Sequence, residues 1–463
     1  MRQWMVAAKK ADFYVIAEKF HVDPVVARII RNREVIGEKN IRIYLGGNLS
    51  DLSDPHQMKD MDRLVEILAQ KIRKQVHIRI IGDYDVDGVT SSHLFLTALR
   101  RVGAKVDVVI PHRIQDGYGL SLHLLQQAKE DGVDTILTCD NGIAAIDEIA
   151  WAKAQKMTVL VTDHHAVPFE EHEGRRTEKK SLADAVVNPH QQDCGYPYKE
   201  LCGAGVAWNV IRVLYENYDM DKREAEDLLD FVAMATVCDV MSLTGENRIL
   251  VKEGLKRIRH TKNIGLQALM QACNVQPENI SAYHFGYVLG PCVNATGRLD
   301  TARHALRLFE TGQETEAEEI ARDLVDLNQE RKELTLQGVE MAKKLCEEGV
   351  YENDPVLVLF LPDVHESIAG LIAGRIREMY NRPVFVLTRG EEGVKGSGRS
   401  TENYSMYENM CGCAELFTKF GGHPMAAGLS LPEENVEKFR RKINENCPLT
   451  VEEVCPDIHI DMA

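Results

Sequence analysis

The sequence predicts an α/β protein: a parallel-sheet domain joined by a long helix to a smaller α/β domain. Three observations predict it. Short runs rich in Val and Ile at residues 77–81, 105–110, 135–138, 158–162 and 185–187 are mostly separated by helical stretches, which is how a parallel sheet with crossover helices reads. A helical pattern follows over residues 314–348, with Ile320, Leu324, Leu327, Leu334, Met341 and Leu345 on a 4-3 spacing broken by Arg331 and Gly338. A second, shorter unit then places strands at 355–361 and 383–388 around a helix at 366–380.

In chain order, residues 1–72 read as an N-terminal helical segment packed on the sheet domain, with a turn cluster at 46–55. Residues 73–310 form the sheet domain, whose part beyond Thr244 is mostly helical with loops. Residues 311–352 are the connecting acidic helix, 353–446 the second domain and 447–463 a C-terminal tail in which 457–461 opens a strand that is not completed. Gly-rich turns are expected at 393–400 and 420–428.

Composition narrows the function classes. The chain has 463 residues, 44% hydrophobic and 27% charged, enough for two to four domains at ~100–200 residues each. Its longest apolar run, residues 356–361, is far short of the ~20 needed to span a bilayer. No apolar stretch follows the basic residues of the first ten, so no signal peptide is expected. The eleven cysteines form no CxxC pair and read as reduced cytoplasmic thiols, Cys411-Gly-Cys413 included. The net charge is −16, which by itself argues against nucleic acid. Yet residues 311–354 hold 13 acids and 5 bases, half of that total, so net charge says little about a particular cleft.

The chemistry concentrates after the strands. Gly82-Asp-Tyr-Asp-Val-Asp-Gly88 sets three alternating aspartates behind an apolar strand. In an extended chain they point to one side, and three converging carboxylates call for a cation. An EF-hand is excluded: the twelfth position from Asp83 is Leu94 rather than a Glu, and a strand leads in. The pattern recurs as Asp140-Asn-Gly142 and as Asp163-His-His165, each behind an apolar strand. One Asp ending a strand is more often a helix cap. Three strands delivering acid or imidazole to one sheet edge predict a metal site, because ligands bind at that edge of an open parallel sheet. Gly203-Ala-Gly205 lacks a dinucleotide fingerprint and reads as helix-start packing.

These motifs, with the runs at 110–121, 202–206, 236–239, 290–299, 373–377, 396–400 and 421–428 in the same order, resemble the DHH phosphoesterase superfamily nearly end to end, and within it the RecJ branch of single-strand-specific exonucleases. The resemblance implies that 73–310 is a DHH domain and 353–446 a DHH-associated, substrate-binding domain. It implies that Asp83, Asp85, Asp87, Asp140, His164 and Asp239 hold two divalent ions, with Asp140 bridging and Asp83 the position where relatives outside this branch carry His. It places Asp140, His164 and His165 in catalysis, and Asn294, Arg298, Arg375, Ser397, Arg399 and His423 on the substrate. Five aspartates and one imidazole suit Mn²⁺ or Mg²⁺ over Zn²⁺. The implied activity is 5′ to 3′ hydrolysis of single-stranded DNA in repair and recombination, cytoplasmic, with other repair proteins as further partners and no membrane. Fuller members continue into an OB fold that adds grip on single strands, and this sequence is expected to stop short of it.

Plainer readings stand beside these. The less favoured alternatives are a surface salt bridge for Arg298, a positioning hydrogen bond for His165 and a tight turn packed for the fold at Gly421-Gly-His423. The alternative activity is a DHH phosphodiesterase for short oligoribonucleotides or cyclic dinucleotides. A metal-free scaffold on DNA would require broken motifs, and the motifs are intact.

Overall fold

The computed structural model describes the chain apart from residues 1–2, 8, 114–115, 118, 173–174, 348, 391–392, 450–456 and 463. Ile114, Gln115 and Tyr118 of the 110–121 motif therefore lie outside the described residues. The chain divides into two compact units, Val35–Asn328 and a second made of Met1–Glu34 with Gln329–Ala463. Of the expected N-terminal segment, residues 35–72 belong to the first unit and residues 1–34 to the second.

The first unit is built on five parallel strands: β1 (Ile78–Ile81), β2 (Val106–Val109), β3 (Thr135–Cys139), β4 (Thr158–Thr162) and β5 (Ala185–Val187). Their order is β2-β1-β3-β4-β5, within a residue or two of the ranges expected at each end. Both faces of β1, β3, β4 and β5 are covered, and these strands are buried along nearly their whole length rather than alternately, while the edge strand β2 is half-buried. Ile80, Leu137 and Leu160 face the main core, with α1 (Met61–Arg73), α2 (Val86–Arg101), α3 (Gly203–Asn217) and α4 (Leu229–Cys238). Ile81, Ile136 and Val161 face the other way, onto Leu124, Leu125 and Ile149. Because β1 has β2 on one side and β3 on the other, the sheet switches direction between β1 and β3, and a crevice opens beyond their carboxyl ends. Helix α5 (Gly290–Leu299) continues from a π-turn at Phe285–Leu289.

Helix α6 (Glu314–Glu347) has the extent expected of it. Its first half buries Ala317, Ile320 and Leu324 in the first unit's core. Its second half buries Val339 and Ala342 in the second unit. Met341, expected on the buried stripe, is 39% exposed. The seam runs instead through Gly338, where an added Cβ would lie 2.3 Å from Ile372. The glycine that interrupts the pattern is a point of close contact, where a side chain would collide.

The second unit carries a mixed sheet of β6 (Leu357–Phe360), β7 (Val384–Gly390), β8 (Gly393–Arg399), β9 (Lys419–His423) and β10 (Ala426–Leu431), in the order β9-β10-β8-β7-β6. Only β6 and β7 run parallel. The Gly-rich stretches expected as turns are therefore strands. Gly398 fits because a Cβ there would meet Phe385 and the Met406 sulfur at 2.4–2.8 Å. Helix α7 (Ala369–Tyr380) packs Ile372, Ala373 and Ile376 beside Val384 and Val386 on one face. Residues Asp457–Ile460 do complete a pairing, parallel to Gln3–Val6. Among the described residues no helix is long and apolar enough to cross a membrane, and the described cysteines are free thiols. Cys413 is buried in an apolar cluster.

Candidate metal centre

Three strand ends supply the site. Beyond β1 the chain turns within four residues and enters α2: Asp83 lies in the turn, Asp85 caps the helix by accepting from the Gly88 N–H at 3.0 Å, and Asp87 sits in the first helical turn. The three carboxylates do not alternate along extended chain, as the sequence reading had it. A tight strand–turn–helix brings them together. Gly88 permits the turn, since a Cβ there would lie 2.5 Å from the Asp83 backbone. Beyond β3, Asp140 adopts a left-handed backbone, φ 61°, and its neighbour Asn141 ties the loop by donating to the carbonyls of Ile81 and Cys139. Beyond β4 come Asp163, His164 and His165. Helix α4 delivers Asp239 at its carboxyl cap.

The convergence is tight. Ligand atoms of Asp83, Asp85 and Asp140 lie within 4.8 Å of one another, as do those of Asp87, His164 and Asp239, and those of Asp140, His164 and His165. His164 Nε2 is 3.1 Å from Asp140, 3.6 Å from Asp239 and 3.7 Å from Asp87. All six residues expected to hold metal are thus gathered at the crevice, and Asp140 belongs to two of the three groups.

The electrostatics fit cations. Burial, and then the neighbouring carboxylates, push the pKa of Asp83, Asp85 and Asp140 upward and that of Asp239 to about 8. Burial depresses His164, so its imidazole is neutral and its lone pair is available. Asp83 Oδ1 and His164 Nε2 are buried with no hydrogen-bond partner among the described residues. Buried carboxylates that repel each other, with acceptor atoms left unsatisfied, match oxygen-rich coordination of hard divalent ions.

Two supports escaped sequence reasoning. Gly203 and Ala204, at the start of α3, donate their N–H groups to Asp87 at 2.6 and 2.7 Å, and a Cβ on Gly203 would crowd Asp140 at 2.6 Å. The Gly-Ala-Gly segment does begin a helix, but that helix end also orients a carboxylate. The signal was present in the spacing of its glycines, without anything local to say which strand it faced. Asp163 was passed over in favour of the histidines. It is 1% exposed, accepts the Ile143, His164 and His165 N–H groups, and lies 2.7 Å from His165 Nδ1. Burial disfavours a charge on His165, but Asp163 and the nearby acids outweigh it and raise its pKa to about 9. In turn His165 and the N–H groups hold Asp163 below the usual carboxylate range despite its burial.

Asn294 and Arg298 lie on α5 in the same unit. Asn294 Oδ1 accepts the Val86 N–H at 3.2 Å, and Gly297 abuts the Tyr84 carbonyl, so this helix borders the aspartate turn. Arg113 brings a further cation, 4.8 Å over the Tyr84 ring.

The other four predicted substrate residues are in the second unit. Register places Arg399, Ala426 and His423 in one row across β8, β10 and β9, and Ser397, Gly428 and Gly421 in the next. Side chains two apart share a face. Ser397, Arg399 and His423 therefore lie on the face that α7 covers farther along, and Gly370 of α7 touches the Arg399 guanidinium. Arg375, on α7 itself, is largely exposed and loosely paired with Glu378 at 3.5 Å.

Comparison with known proteins agrees with this arrangement. Residues 77–236 match the model of the DHH family, N-terminal domain, and residues 353–447 that of the DHHA1 domain. The single-stranded-DNA-specific exonuclease RecJ of Haemophilus influenzae is 36% identical over 91% of this chain and 74% of its own length. The chain belongs to the RecJ family of single-stranded-DNA-specific exonucleases. The RecJ of Bacillus subtilis is 33% identical over 96% of the chain but 55% of its own length. The crystal structure of RecJ from Thermus thermophilus in complex with Mn²⁺ superposes with a TM-score of 0.81 at 28% identity, over 99% of this chain and 64% of that one. The chain thus spans between about half and three quarters of these RecJ proteins.

Proposed function

We propose that the chain hydrolyses single-stranded DNA from the 5′ end with two divalent ions, Mn²⁺ or Mg²⁺, releasing mononucleotides. The observation that carries this is the convergence of Asp83, Asp85, Asp87, Asp140, His164 and Asp239 at one sheet edge. Asp140 is assigned as the carboxylate shared by both ions, and Asp83 is kept among the ligands because its buried Oδ1 has no other partner. Bound divalent ions supply an activated water and neutralise charge on an in-line phosphoryl transfer.

The protein's own groups do the rest. Asp87 is held in place by the two N–H groups of α3. His165 carries its charge against Asp163, which fixes Nδ1 and leaves Nε2 to face the phosphate or the leaving oxygen. Asn294 and Arg298 border the turn where a phosphate would lie. The face that carries Ser397, Arg399 and His423, with glycines beside them, suits backbone and guanidinium contacts to further phosphates.

The test uses Mn²⁺ with 5′- or 3′-labelled single strands, a blunt duplex and a dinucleotide. Labelled mononucleotide released early from the 5′-labelled strand, with the duplex spared, is expected. Turnover of the dinucleotide alone would instead assign the small-substrate activity.

A further inference from the structure

Two thiols meet beside α5, outside the metal groups. Cys292, in the first turn of α5, is 2% exposed, and its Sγ lies 3.8 Å from the Sγ of Cys273. Cys273 caps the carboxyl end of the helix Ile264–Ala272 and is half-buried, next to the exposed Asn274. Both belong to the first unit.

The buried sulfur is held in place. Cys292 donates its S–H to the Val288 carbonyl at 3.3 Å, and its Sγ accepts an Nδ2–H of Asn328 at 3.4 Å. An N–H aimed at the sulfur favours the thiolate, which is the form that attacks a disulfide. These bonds set the sheltered sulfur against Cys273, the thiol that a solute can reach. A reachable thiol with a second one poised against it is the arrangement of a pair that closes on oxidation.

Closure would be felt along α5. A disulfide needs about 2.05 Å between its sulfurs, so the present 3.8 Å must shrink by about 1.8 Å. The helix end at Cys273, where the chain leaves through the left-handed Asn274 (φ 56°), and α5 share that movement. Residues two apart on a helix lie on nearly opposite sides. A pull on Cys292 therefore draws Asn294 away from the Val86 N–H that it accepts at 3.2 Å, at the border of the aspartate turn.

We propose that Cys273 and Cys292 form a reversible disulfide by exchange with low-molecular-weight disulfides, and that this bond weakens the hold of α5 on substrate. The second half rests on the exonuclease reading above; the first does not. In the exchange, the Cys273 thiolate attacks one sulfur of the small disulfide, whose S–S bond breaks and whose other half leaves as a thiol. Cys292 then gives up its proton and attacks the Cys273 sulfur, and the second small thiol leaves. The protein loses two thiol hydrogens, and the small disulfide is reduced to two thiols.

The test equilibrates the wild-type chain, without metal, in oxidised glutathione, then quenches in acid and alkylates the remaining thiols. Trypsin leaves both cysteines in one peptide, residues 263–298, which holds no other cysteine. That peptide is expected unalkylated and lighter by both thiol hydrogens, with dithiothreitol restoring two alkylated thiols. Cys292→Ser should instead retain glutathione on Cys273, and Cys273→Ser should leave Cys292 unmodified. Glutathione retained on Cys273 in the wild type, or a wild-type peptide that stays fully alkylated while the exposed Cys411 reacts, overturns the proposal. Should Cys292→Ser fail to fold, the wild type and Cys273→Ser, altered at a half-buried helix end, still decide it. With Mn²⁺ and labelled single strands, prior oxidation should raise KM by about 2–10-fold, the loss of one hydrogen bond. It should do so in the wild type and not in Cys273→Ser, whose turnover under reducing conditions should match the wild type. An unchanged KM overturns the coupling. Should the reduced wild type cut no DNA, the exonuclease reading falls while the peptide mass still decides the disulfide.

Discussion

At the parallel-sheet edge, Asp87 is gripped by two helix N–H groups and Asp163 accepts three more. In the second unit, His423 of β9 and Arg375 of α7 are exposed, and Arg399 lies against Gly370 and its own strand, donating to the Gly398 carbonyl at 2.7 Å. The first region is over-determined by backbone, the second is a row of side chains with room to adapt. Groups that must meet a reacting phosphorus within a fraction of an ångström need a rigid frame. Groups that hold successive phosphates along a flexible strand need charge and reach more than rigidity.

If that contrast is right, substitutions in the two regions should act on different kinetic constants. Asp140→Ala should have the largest effect, a fall in kcat of about 10³-fold or more, because a carboxylate shared by two ions serves both. Near-normal turnover in a Mn²⁺ assay would break the two-ion assignment. Asp163→Asn should come next, lowering kcat by about 10–100-fold, the usual cost of removing a group that orients a site residue. Its KM should hardly change, and a rise in KM instead would show that Asp163 acts on binding. Arg399→Ala should raise KM by about tenfold at constant kcat. The slope of log affinity against log salt should fall by about 0.7, one phosphate contact on a single strand. A change confined to kcat would erase the distinction between the two regions.

The smallest effect on activity is expected at Asp230, a buried acid outside the metal site. Burial lifts its pKa to about 6, against the opposing bonds from Thr261 and the Phe231 N–H. Its raised value means that the stability it lends is complete below about pH 4 and is lost as pH rises through 6. Asp230→Asn removes that dependence. Thermal melts should show the variant gaining on the wild type between pH 4 and pH 7, by on the order of 2–3 kcal/mol, with kcat near wild type. No pH-dependent difference would mean that the carboxyl titrates normally.

Much of the site was legible because its chemistry is local. Each of β1, β3 and β4 announces its acid immediately after an apolar run, and an apolar strand followed by charge marks the carboxyl edge of a parallel sheet wherever it occurs. The strand boundaries were readable for a related reason: both faces of β1, β3, β4 and β5 are buried, so apolar residues run together there with only Arg79 and threonines among them. The Gly-rich stretches of the second unit were misread as turns because glycine signals freedom without saying why it is needed. At Gly398 the need is space beside Phe385 and Met406. At Gly338 it is closeness to Ile372, on a seam that leaves Met341 largely exposed.

The sequence by itself determined which residue types stand at the sheet edge, the kind of ion they suit and the α/β alternation that delivers them, because these follow from short-range pattern and donor chemistry. The fold alone set the start of α3 against Asp87 and the Asp163 carboxylate against His165, and brought Asp239 of α4 to the edge formed by β1, β3 and β4. Those relations join residues from two to more than a hundred positions apart. A chain's pattern records what each segment needs to bury, but not which distant segment will meet it.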